Sequence, residues 1–439
     1  MDISVVGLGK LGLCTAACFA SKGHKVVGVE KNTHFISELN ARRCPVNETN
    51  LPDILEKSWN TLTVTGDIGY AVKNSDVTLI ITPTPSQADG SFTNEYIEPV
   101  LRDMAPHIKE KNSFHVIDIV STVMPGSCDK EFIPLLEQMT GKRCGVDFGL
   151  VYNPEFIALG SVVRNFLNPD MVLIGASDVR SADMVEKLYL ECCDSKPTIC
   201  KMSLINGEIT KISLNCYVTM KISYVNQLTA ICEKVPGADV DVITAAVGAD
   251  SRVGNKYLKG GIGFGGPCFP RDNVAFQRFT ESIGGNAPLG RQVIQINNDV
   301  PGRVLDIITA NIKDRGKVAI LGMSYKPDTH IIEESQSVTL AGLLAEKGYI
   351  VSAHDPAALG EVERHLSKAV EITEDIDKCV SEADAVVLMV EWPQYTQLDF
   401  EKISRLTNKD ALFLDCWRTY KQNKNTGMRY MGLGLGVEA

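Results

Sequence analysis

The feature that most constrains the fold is a glycine pattern directly after the first apolar stretch of the chain. Residues 3–6 have the composition of a short strand, Gly7-x-Gly9-x-x-Gly12 follows, and a helical pattern covers residues 13–21. In such a unit the first glycine makes a tight turn, the second lets the backbone approach a pyrophosphate, and the third lets helix pack on strand. The pattern predicts a doubly wound α/β sheet with a phosphate-binding helix N-terminus.

An acid at the end of the second predicted strand refines this prediction. Glu30 follows residues 25–29 and stands 18 positions after Gly12. A carboxylate there accepts hydrogen bonds from a ribose 2′-hydroxyl and repels a 2′-phosphate, so we expect NAD rather than NADP. The alternative is a purely structural turn. The candidate cofactor residues here are Gly7, Gly9, Lys10, Leu11, Gly12, Glu30 and Lys31.

Two polar loops follow further predicted strands over residues 77–81 and 116–119. The first carries Thr82, Pro83 and Thr84, and the second carries Ser121 and Thr122. Ligands of open α/β sheets bind at the carboxyl ends of the strands, which adds these five residues to the cofactor candidates. The alternative is that the prolines and threonines are ordinary loop residues with a structural role only. One more strand is predicted over residues 171–174.

The last third of the chain repeats the pattern of the first. Residues 317–322 echo 3–7, residues 383–389 echo 75–81, and residues 351–356 stand where 27–30 stand in the first lobe. A long helical pattern over 203–235 separates the two regions. We predict an α/β protein of two Rossmann-like domains, at 1–200 and 301–439, joined by a central helical domain at 201–300.

Composition narrows the classes of partner. The net charge of −10 argues against nucleic acid or an anionic membrane as partner. The 13 cysteines form no C-x-x-C pair, so we expect reduced thiols and no metal site. The first residues form a strand rather than a signal peptide, and no apolar run reaches the ~20 residues of a membrane span. These observations predict a cytoplasmic protein.

A cysteine in a second glycine-rich segment suggests covalent chemistry. Residues 263–272 read GFGGPCFPRD and place Cys268 four positions before Asp272. If a helix begins near Cys268, its dipole favours the thiolate. Together with a nicotinamide cofactor, such a thiolate can hold an aldehyde as a thiohemiacetal and allow a second oxidation to the acid. A structural cysteine on a glycine turn is the alternative.

Polar residues on the central helix and basic residues near Cys268 extend the candidate site. Lys211 and Asn215 share one helix face, where they could stabilise an oxyanion or simply face solvent. A group of cations occupies positions that suit phosphate contacts, although a single cation of this kind is more often a solvated surface charge. This group consists of Arg252, Lys256, Lys259 and Lys326.

With these residues the chain resembles the nucleotide-sugar 6-dehydrogenases of the UDP-glucose/GDP-mannose dehydrogenase family, nearly from end to end. Besides the glycine pattern and the two polar loops, the resemblance includes N-P-E-F at 153–156, K-x-x-x-N at 211–215 and RVGNKYL at 252–258. It continues through 263–272, Y-K-P at 325–327 and E-W at 391–392.

The resemblance implies a four-electron reaction. The C6 hydroxymethyl group of a UDP-hexose would become a carboxylate at the expense of two NAD and one water. Cys268 would carry the thiohemiacetal and then the thioester, while Asp272 and Thr122 would activate or position water. Lys211 and Asn215 would stabilise the oxyanion. The second lobe would hold the nucleotide, and family members are typically homodimers joined through the central helix, with an arginine such as Arg252 reaching the neighbour's substrate.

Candidate substrate contacts follow from the same resemblance. They are Phe156, Leu159, Lys211, Asn215, Arg252, Tyr257, Lys259, Phe264, Gly265 and Lys326.

The sequence departs from the family pattern at three places. Leu159 stands where UDP-glucose members usually carry a second glutamate, and Glu333 stands where an arginine is expected. Residues 329–334 also lack the usual paired aspartates, and Arg271 replaces a common lysine. Because leucine is no base, thioester hydrolysis would fall to Glu155 or Asp272. Branches that oxidise N-acetylated hexosamines also lack the second glutamate, so both UDP-glucose and UDP-N-acetylhexosamines are candidate substrates.

Two other functions remain open. A two-electron β-hydroxyacid dehydrogenase shares the Rossmann domain and a catalytic lysine, but needs neither residues 263–272 nor the second lobe. A non-catalytic protein that binds NAD and a nucleotide sugar is the other, and Leu159 and Glu333 are the residues that favour it.

Overall fold

The computed structural model describes residues 1–157, 160–366, 370–421 and 427–436 of the chain. The chain divides into two compact units, Met1–Ser213 and Leu214–Ala439. Each unit is built around one sheet. Leu159 is not among the described residues.

The first unit contains an eight-stranded sheet in the order β3-β2-β1-β4-β5-β6-β7-β8. The strands are β1 Asp2–Val6, β2 Lys25–Val29, β3 Leu62–Thr65, β4 Val77–Ile80, β5 His115–Ile119, β6 Phe148–Tyr152, β7 Met171–Ala176 and β8 Thr198–Met202. The first six are parallel to one another.

The seventh strand differs from the repeated βαβ pattern that the sequence predicts. β7 pairs antiparallel with β6, through Val151 opposite Ala176 and Tyr152 opposite Gly175. β7 therefore starts beyond the carboxyl end of β6 and runs back toward it. The loop from Asn153 onward consequently lies at the carboxyl edge of the sheet, where ligands of such folds bind.

Helices cover both faces of this sheet, and the strands are apolar on both faces as a consequence. On β5, Val116 packs into one hydrophobic layer and Ile117 into the other. The helices are α1 Lys10–Ser21, α2 Thr33–Asn40, α3 Leu51–Ser58, α4 Ile68–Lys73, α5 Ile97–Glu110, α6 Ile133–Thr140, α7 Val162–Leu167 and α8 Val179–Cys192. A π-helical turn, Cys128–Phe132, precedes α6.

The long helical pattern at 203–235 corresponds to one helix, α9, which runs from Leu204 to Cys232. It contains no proline or glycine after Gly207, so nothing in the sequence interrupts its backbone hydrogen bonds. This confirms the predicted long helix. No described helix is both long enough and apolar enough to cross a membrane.

The second unit contains a six-stranded parallel sheet in the order β11-β10-β9-β12-β13-β14, which repeats the order of the first six strands of the first unit. Its strands are β9 Lys317–Leu321, β10 Ile350–His354, β11 Val370–Ile372, β12 Ala385–Leu388, β13 Leu412–Asp415 and β14 Arg429–Gly432. Both Rossmann-like sheets predicted from the sequence are thus confirmed.

The helices of the second unit begin at favourable capping residues in several cases. Asp239, for example, accepts hydrogen bonds from the backbone N–H groups of Asp241 and Val242. The helices are α10 Val240–Ala249, α11 Phe269–Ser282, α12 Pro288–Asn311, α13 Gln336–Glu346, α14 Leu359–His365, α15 Ile376–Val380 and α16 Phe400–Leu406. A short 3₁₀ helix spans Pro393–Gln397.

Candidate active site

The glycine pattern forms the turn that the sequence predicts, but α1 begins three residues earlier than expected, at Lys10. Gly12 must be a glycine, because a Cβ there would lie 1.8 Å from the carbonyl oxygen of Gly7. A Cβ on Gly9 would meet no described atom within 4 Å, so the space above the turn is open. Leu11 follows on the first turn. The unpaired N–H groups at this helix end can therefore receive a pyrophosphate.

Glu30 is fixed at the end of β2 by backbone donors. Its carboxylate accepts hydrogen bonds from the N–H groups of Leu8 at 2.9 Å, Lys31 at 2.9 Å and Asn32 at 3.0 Å. A carboxylate has about four lone-pair positions, so one remains for a ribose hydroxyl. Lys31 itself is exposed beside this acid.

The two polar loops after β4 and β5 are joined by hydrogen bonds. The Ser121 hydroxyl accepts from the Thr82 N–H at 2.9 Å and donates to the Thr82 carbonyl at 2.7 Å. The Thr84 hydroxyl donates to the carbonyl of Thr122 at 2.6 Å. Pro83 lies between these anchor points and is exposed.

Thr82 also provides a test of whether this edge fits a cofactor. Its hydroxyl oxygen is enclosed and has no hydrogen-bond partner among the described residues. Its methyl carbon would lie 3.6 Å from a Cβ on Gly7, so the loop adjoins the glycine turn. An orphaned hydroxyl, an open helix N-terminus and Glu30 on one sheet edge fit a dinucleotide. The described residues contain no group of three or more histidine, cysteine or acidic side chains that could hold a metal ion.

Lys211 and Glu155 meet at the carboxyl end of β6. The ammonium group of Lys211 donates to the backbone carbonyl of Glu155 at 2.6 Å and lies 4.5 Å from the centre of the Phe156 ring. The Tyr189 hydroxyl donates to the Glu155 carboxylate at 2.9 Å. The residue is partly exposed, but burial of its carboxyl group raises the pKa of Glu155 to about 7, against the opposing effects of Tyr189 and Lys211. Glu155 can therefore exchange protons near neutral pH.

Several residues of this half of the site were missed from the sequence. Glu208, buried on α9, accepts from the N–H groups of Gly126 at 2.6 Å and Cys128 at 2.9 Å, and so holds the segment after Thr122 against the helix of Lys211. Its position three residues before Lys211 was the available signal. Asp118 on β5 is fully buried, and neither carboxyl oxygen has a hydrogen-bond partner among the described residues. Burial and the charge of Glu155 raise the pKa of Asp118 well above its ordinary value, because an unpaired buried carboxylate is disfavoured.

Glu48 fixes the far end of the loop that carries Glu155. Its carboxylate accepts from the N–H groups of Gly160 and Val162, both at 3.2 Å. Sequence analysis gave no role to Glu48, because it lies more than a hundred residues from its partners.

In the second unit, Cys268 occupies the N-cap position of α11, which meets the condition set in the sequence analysis for a helix that begins near this residue. The helix starts at Phe269, and the carbonyl of Cys268 accepts from the N–H of Asp272 at 2.8 Å. All 13 cysteines are free, and Cys268 alone among them is exposed. An accessible thiol at a helix N-terminus has the environment that favours a reactive thiolate.

Asn215 packs against α11 rather than facing solvent. Its amide donates to the Asp272 carboxylate at 2.6 Å, and Asp272 is only 1% exposed. The Arg271 guanidinium lies 3.7 Å from the same carboxylate. One turn further along α9, the Thr219 hydroxyl accepts from the amide of Asn273 at 2.9 Å. The structure therefore brings Asn215 and Asp272 together, directly beneath the helix end that carries Cys268.

Two of the four basic residues predicted for phosphate contacts are paired with acids. Arg252 is 86% exposed and forms an ion pair with Asp250 at 2.7 Å. Lys259 pairs with Glu391 at 2.7 Å and lies 5.5 Å from the centre of the Trp417 ring. Tyr257 is exposed, and Lys326 lies 5.9 Å from the centre of the Tyr325 ring. A phosphate role for Arg252, Lys256, Lys259 and Lys326 stays a prediction.

The glycine-rich loop before Cys268 rests on the segment that follows β9. Phe264 exchanges two hydrogen bonds with the side chain of Asn297, at 2.7 Å and 3.0 Å. The N–H of Gly266 donates to the carbonyl of Glu333 at 2.9 Å, and a Cβ on Gly265 would lie 2.3 Å from the carbonyl oxygen of Glu334. The exposed side chain of Glu333 lines a cavity of about 800 Å³.

Comparison with known proteins identifies the class of this site. The UDP-glucose/GDP-mannose dehydrogenase family matches in all three of its parts. These are the NAD binding domain over residues 1–193, the central domain over 206–299 and the UDP binding domain over 319–422. The chain belongs to this family.

Individual relatives agree with the family match. The chain is 30% identical to the UDP-glucose 6-dehydrogenase AglM of Haloferax volcanii over 405 residues, 91% of this chain and 94% of the relative. The structure of a UDP-glucose dehydrogenase from Pyrobaculum islandicum is 30% identical, with a TM-score of 0.87 over 99% of this chain and 98% of the other. A UDP-D-ManNAc dehydrogenase from Pyrococcus horikoshii is 26% identical, with a TM-score of 0.83 over 99% of both chains. The protein is an NAD-dependent nucleotide-sugar 6-dehydrogenase.

Proposed function

We propose that this enzyme oxidises the C6 hydroxymethyl group of a UDP-hexose to the carboxylate in two NAD-dependent steps, with Cys268 as the covalent nucleophile. The observation that carries the proposal is Cys268 itself, an exposed thiol on the N-terminus of α11 above the Asn215–Asp272 pair. Per substrate, one water is consumed, two NADH and three protons are released, and the thiol is regenerated.

The residues of the first unit support the oxidation steps. The glycine turn and Glu30 would hold NAD, which accepts one hydride from C6 in each step when bound. Thr82, Thr84, Ser121 and Thr122 would line the cofactor edge. Lys211, fixed by the Glu155 carbonyl at 2.6 Å, would place a positive charge where an alkoxide forms.

The residues of the second unit support the covalent steps. The Cys268 thiolate would attack the C6 aldehyde, and the resulting oxyanion takes up a proton to give a thiohemiacetal. Loss of a hydride and a proton turns this adduct into a thioester. Asn215 would donate to the oxyanion, and its position is fixed by Asp272.

Hydrolysis of the thioester requires a base, because water must lose a proton as it attacks the carbonyl carbon. Leu159 cannot act as one, which leaves Glu155 and Asp272, with Thr122 positioning the water. The pKa of about 7 favours Glu155, because such a group is ionised in part at neutral pH and remains basic enough to accept a proton.

The sugar is proposed as a UDP-glucose or a UDP-N-acetylhexosamine. Relatives named for UDP-glucose and for UDP-D-ManNAc are both similar over nearly the whole chain. The departure at Leu159 favours the N-acetylated class, and Glu333 weakens the case for UDP-glucose. The second Rossmann-like domain would hold the UDP group, with contacts from Phe156, Arg252, Tyr257, Lys259, Phe264, Gly265 and Lys326.

The test is the number of NADH formed per sugar across UDP-glucose, UDP-N-acetylhexosamines and GDP-mannose. Two NADH from one member are expected and would identify the substrate. One NADH, insensitive to thiol alkylation, would contradict the covalent mechanism and favour a two-electron dehydrogenase. Tight binding of NAD and sugar without turnover would identify a non-catalytic binding protein.

We also propose a homodimer formed through α9. Tyr217, Tyr224 and Ile231 are spaced by seven residues, so they share one helix face, and they are 58%, 49% and 52% exposed. Three large, mostly apolar side chains aligned on one exposed helix face are typical of an interaction surface rather than of a face in contact with water. Light scattering should give twice the chain mass of 47.9 kDa, and Tyr224→Glu should give the monomer. A monomeric wild type would contradict the proposal.

The proposed domains are residues 1–200 for NAD, 201–300 for the central helices and 301–439 for the UDP-sugar. A cytoplasmic location is proposed as well, because all 13 cysteines are free thiols. No nucleic acid or membrane partner is proposed, given the net charge of −10.

A further inference from the structure

The segment that leads to Cys268 is buried but has no regular secondary structure. Residues 260–266 are all buried, and they lie outside the helices and strands of the described chain. Buried backbone N–H and C=O groups need hydrogen-bond partners, which side chains must supply where no helix or sheet does so. The side chains that bind this segment therefore determine its path toward the thiol.

Two asparagine amides bind the segment in the same way. Asn226, on α9, accepts from the N–H of Gly261 at 3.0 Å and donates to the carbonyl of Ile262 at 3.1 Å. Asn297, on α12, accepts from the N–H of Phe264 at 2.7 Å and donates to the carbonyl of the same residue at 3.0 Å. The two asparagines are 3% and 5% exposed. Each amide thus provides the donor and the acceptor that a neighbouring strand would provide.

The contacts of Asn297 continue to the start of α11. A Cβ on Gly263 would lie 2.4 Å from the side-chain oxygen of Asn297, so the segment lies directly on this amide. The ring of Phe264 meets the ring of Phe269 edge to face, with 6.2 Å between the ring centroids. Phe269 is the first residue of α11 and directly follows Cys268. Asn297 is therefore connected to the residue next to the thiol through a single side chain.

We propose that Asn297 is a positioning residue for Cys268: its amide fixes the backbone of Phe264, whose ring fixes the first residue of α11. A thiol that moves away from this helix end loses the environment that favours the thiolate, and it also loses its alignment with the reacting carbon. The inference rests on the proposed function in one respect, namely that Cys268 is the nucleophile.

The first test is Asn297→Leu, which approximately keeps the shape of the side chain and removes both hydrogen bonds. The kcat for acid formation should fall about 10- to 100-fold, as expected for a displaced reacting group, while the Kd for NAD stays within about twofold. Alkylation of Cys268 by iodoacetamide at pH 7 should slow about three- to tenfold, measured by mass spectrometry of the Cys268 peptide in the full-length protein. Wild-type rates in both assays would contradict the proposal.

The second test is Asn297→Asp, which makes the hydrogen bonds depend on pH. A neutral carboxyl group can accept from the Phe264 N–H and donate to the Phe264 carbonyl, whereas a carboxylate can only accept. Burial disfavours the carboxylate, so we expect the pKa of the new group to lie at about 6–9. The ratio of variant to wild-type alkylation rates should approach one at pH 5 and fall as the pH rises through this pKa. A ratio that is the same from pH 5 to pH 9 would contradict the proposal, and this test remains available if the leucine variant does not fold.

The matched control is Asn408→Leu in the same unit. The amide of Asn408 donates to the carbonyl of Glu382 at 2.9 Å and to the carboxylate of Asp384 at 2.8 Å. Both acceptors precede β12, so the control removes two hydrogen bonds at the amino edge of the sheet. Its alkylation and kcat should match the wild type even if its melting temperature falls. Equal losses in both leucine variants would show general destabilisation and contradict the role of Asn297.

The assays also separate this inference from the mechanism. Alkylation needs neither sugar nor NAD, so an absence of turnover in the wild type would contradict the proposed function and leave the alkylation result for Asn297 intact. Conversely, two NADH per sugar in the wild type, with unchanged kcat and alkylation in Asn297→Leu, would contradict only the role of Asn297.

Discussion

The two Rossmann-like sheets share an architecture, but the glycine turn after the first strand of each sheet leads into a different structure. In the first, the N–H of Gly7 donates to the Val29 carbonyl at 2.9 Å, and in the second the N–H of Gly322 donates to the His354 carbonyl at 2.9 Å. After Gly7, helix α1 begins within three residues at Lys10. After Gly322, the next helix begins only at Gln336. The first turn thus leaves a helix N-terminus for phosphate, whereas the second becomes a long loop.

The acids that end the second strand of each sheet show the same divergence. Glu30 is partly exposed and accepts three backbone hydrogen bonds. Asp355 is 1% exposed and accepts from six donors, among them the N–H groups of Met323 and Ser324 and the indole of Trp392. A saturated, buried carboxylate has no lone pair left for a ribose. Asp355 is therefore a structural anchor for the loop after β9, and the Glu333 carbonyl of that loop accepts from the N–H of Gly266.

Cys268→Ser is expected to have the largest effect, since this exposed thiol is the proposed nucleophile. Acid formation should fall by more than about 10³-fold, the scale on which loss of a nucleophile acts, because serine is protonated at this pH. NAD affinity, measured by fluorescence titration, should stay within about twofold. Full turnover would contradict the covalent mechanism, and lost NAD binding would show that the two lobes are not functionally distinct.

Removal of each strand-end acid tests the comparison directly. Asp355→Ala should lower the free energy of unfolding by about 3–5 kcal/mol, because it leaves several buried donors without an acceptor. A urea titration measures this change. NAD binding should persist at concentrations of urea below the transition.

Glu30→Ala should give the opposite result. The free energy of unfolding should fall by only about 1 kcal/mol, because the freed N–H groups can reach water. The Kd for NAD should rise about tenfold, because the hydrogen bond to the ribose is lost. Isothermal titration calorimetry with NAD and with NADP measures the two Kd values, and the preference in affinity for NAD over NADP should decrease. If Glu30→Ala is the more destabilising of the two variants, the assigned roles are reversed.

The sequence was sufficient for the repeated architecture and insufficient for this divergence. Gly7 and Gly322 each follow an apolar strand, and short-range patterns of this kind identify strands and turns reliably. Whether a carboxylate is free to bind a ligand depends on hydrogen-bond donors that are distant in sequence. Trp392, for example, donates to Asp355, and Gly160 donates to Glu48. Asp118 was missed for the same reason, because the burial of its carboxyl group is a property of tertiary packing. The reversal of β7 likewise depends on pairing that no local pattern encodes.

The last prediction decides which unit supplies the base for thioester hydrolysis. Burial raises the pKa of Glu155 to about 7, and only the ionised form accepts a proton. If Glu155 is the base, single-turnover hydrolysis should rise about tenfold per pH unit below 7 and level off above it. Glu155→Gln should remove this dependence and let the Cys268 thioester accumulate, as detected by intact-mass spectrometry. The exposed Glu95→Gln in the same unit is the matched control and should keep the wild-type profile.

The competing outcome assigns the step to the second unit. Asp272 is bound by Asn215 and lies near Arg271. A Glu155→Gln variant that hydrolyses the thioester at the wild-type rate and with the wild-type pH profile would make Asp272 the base. In that case both the nucleophile and the base would belong to the second unit, and the first unit would serve the two oxidations alone.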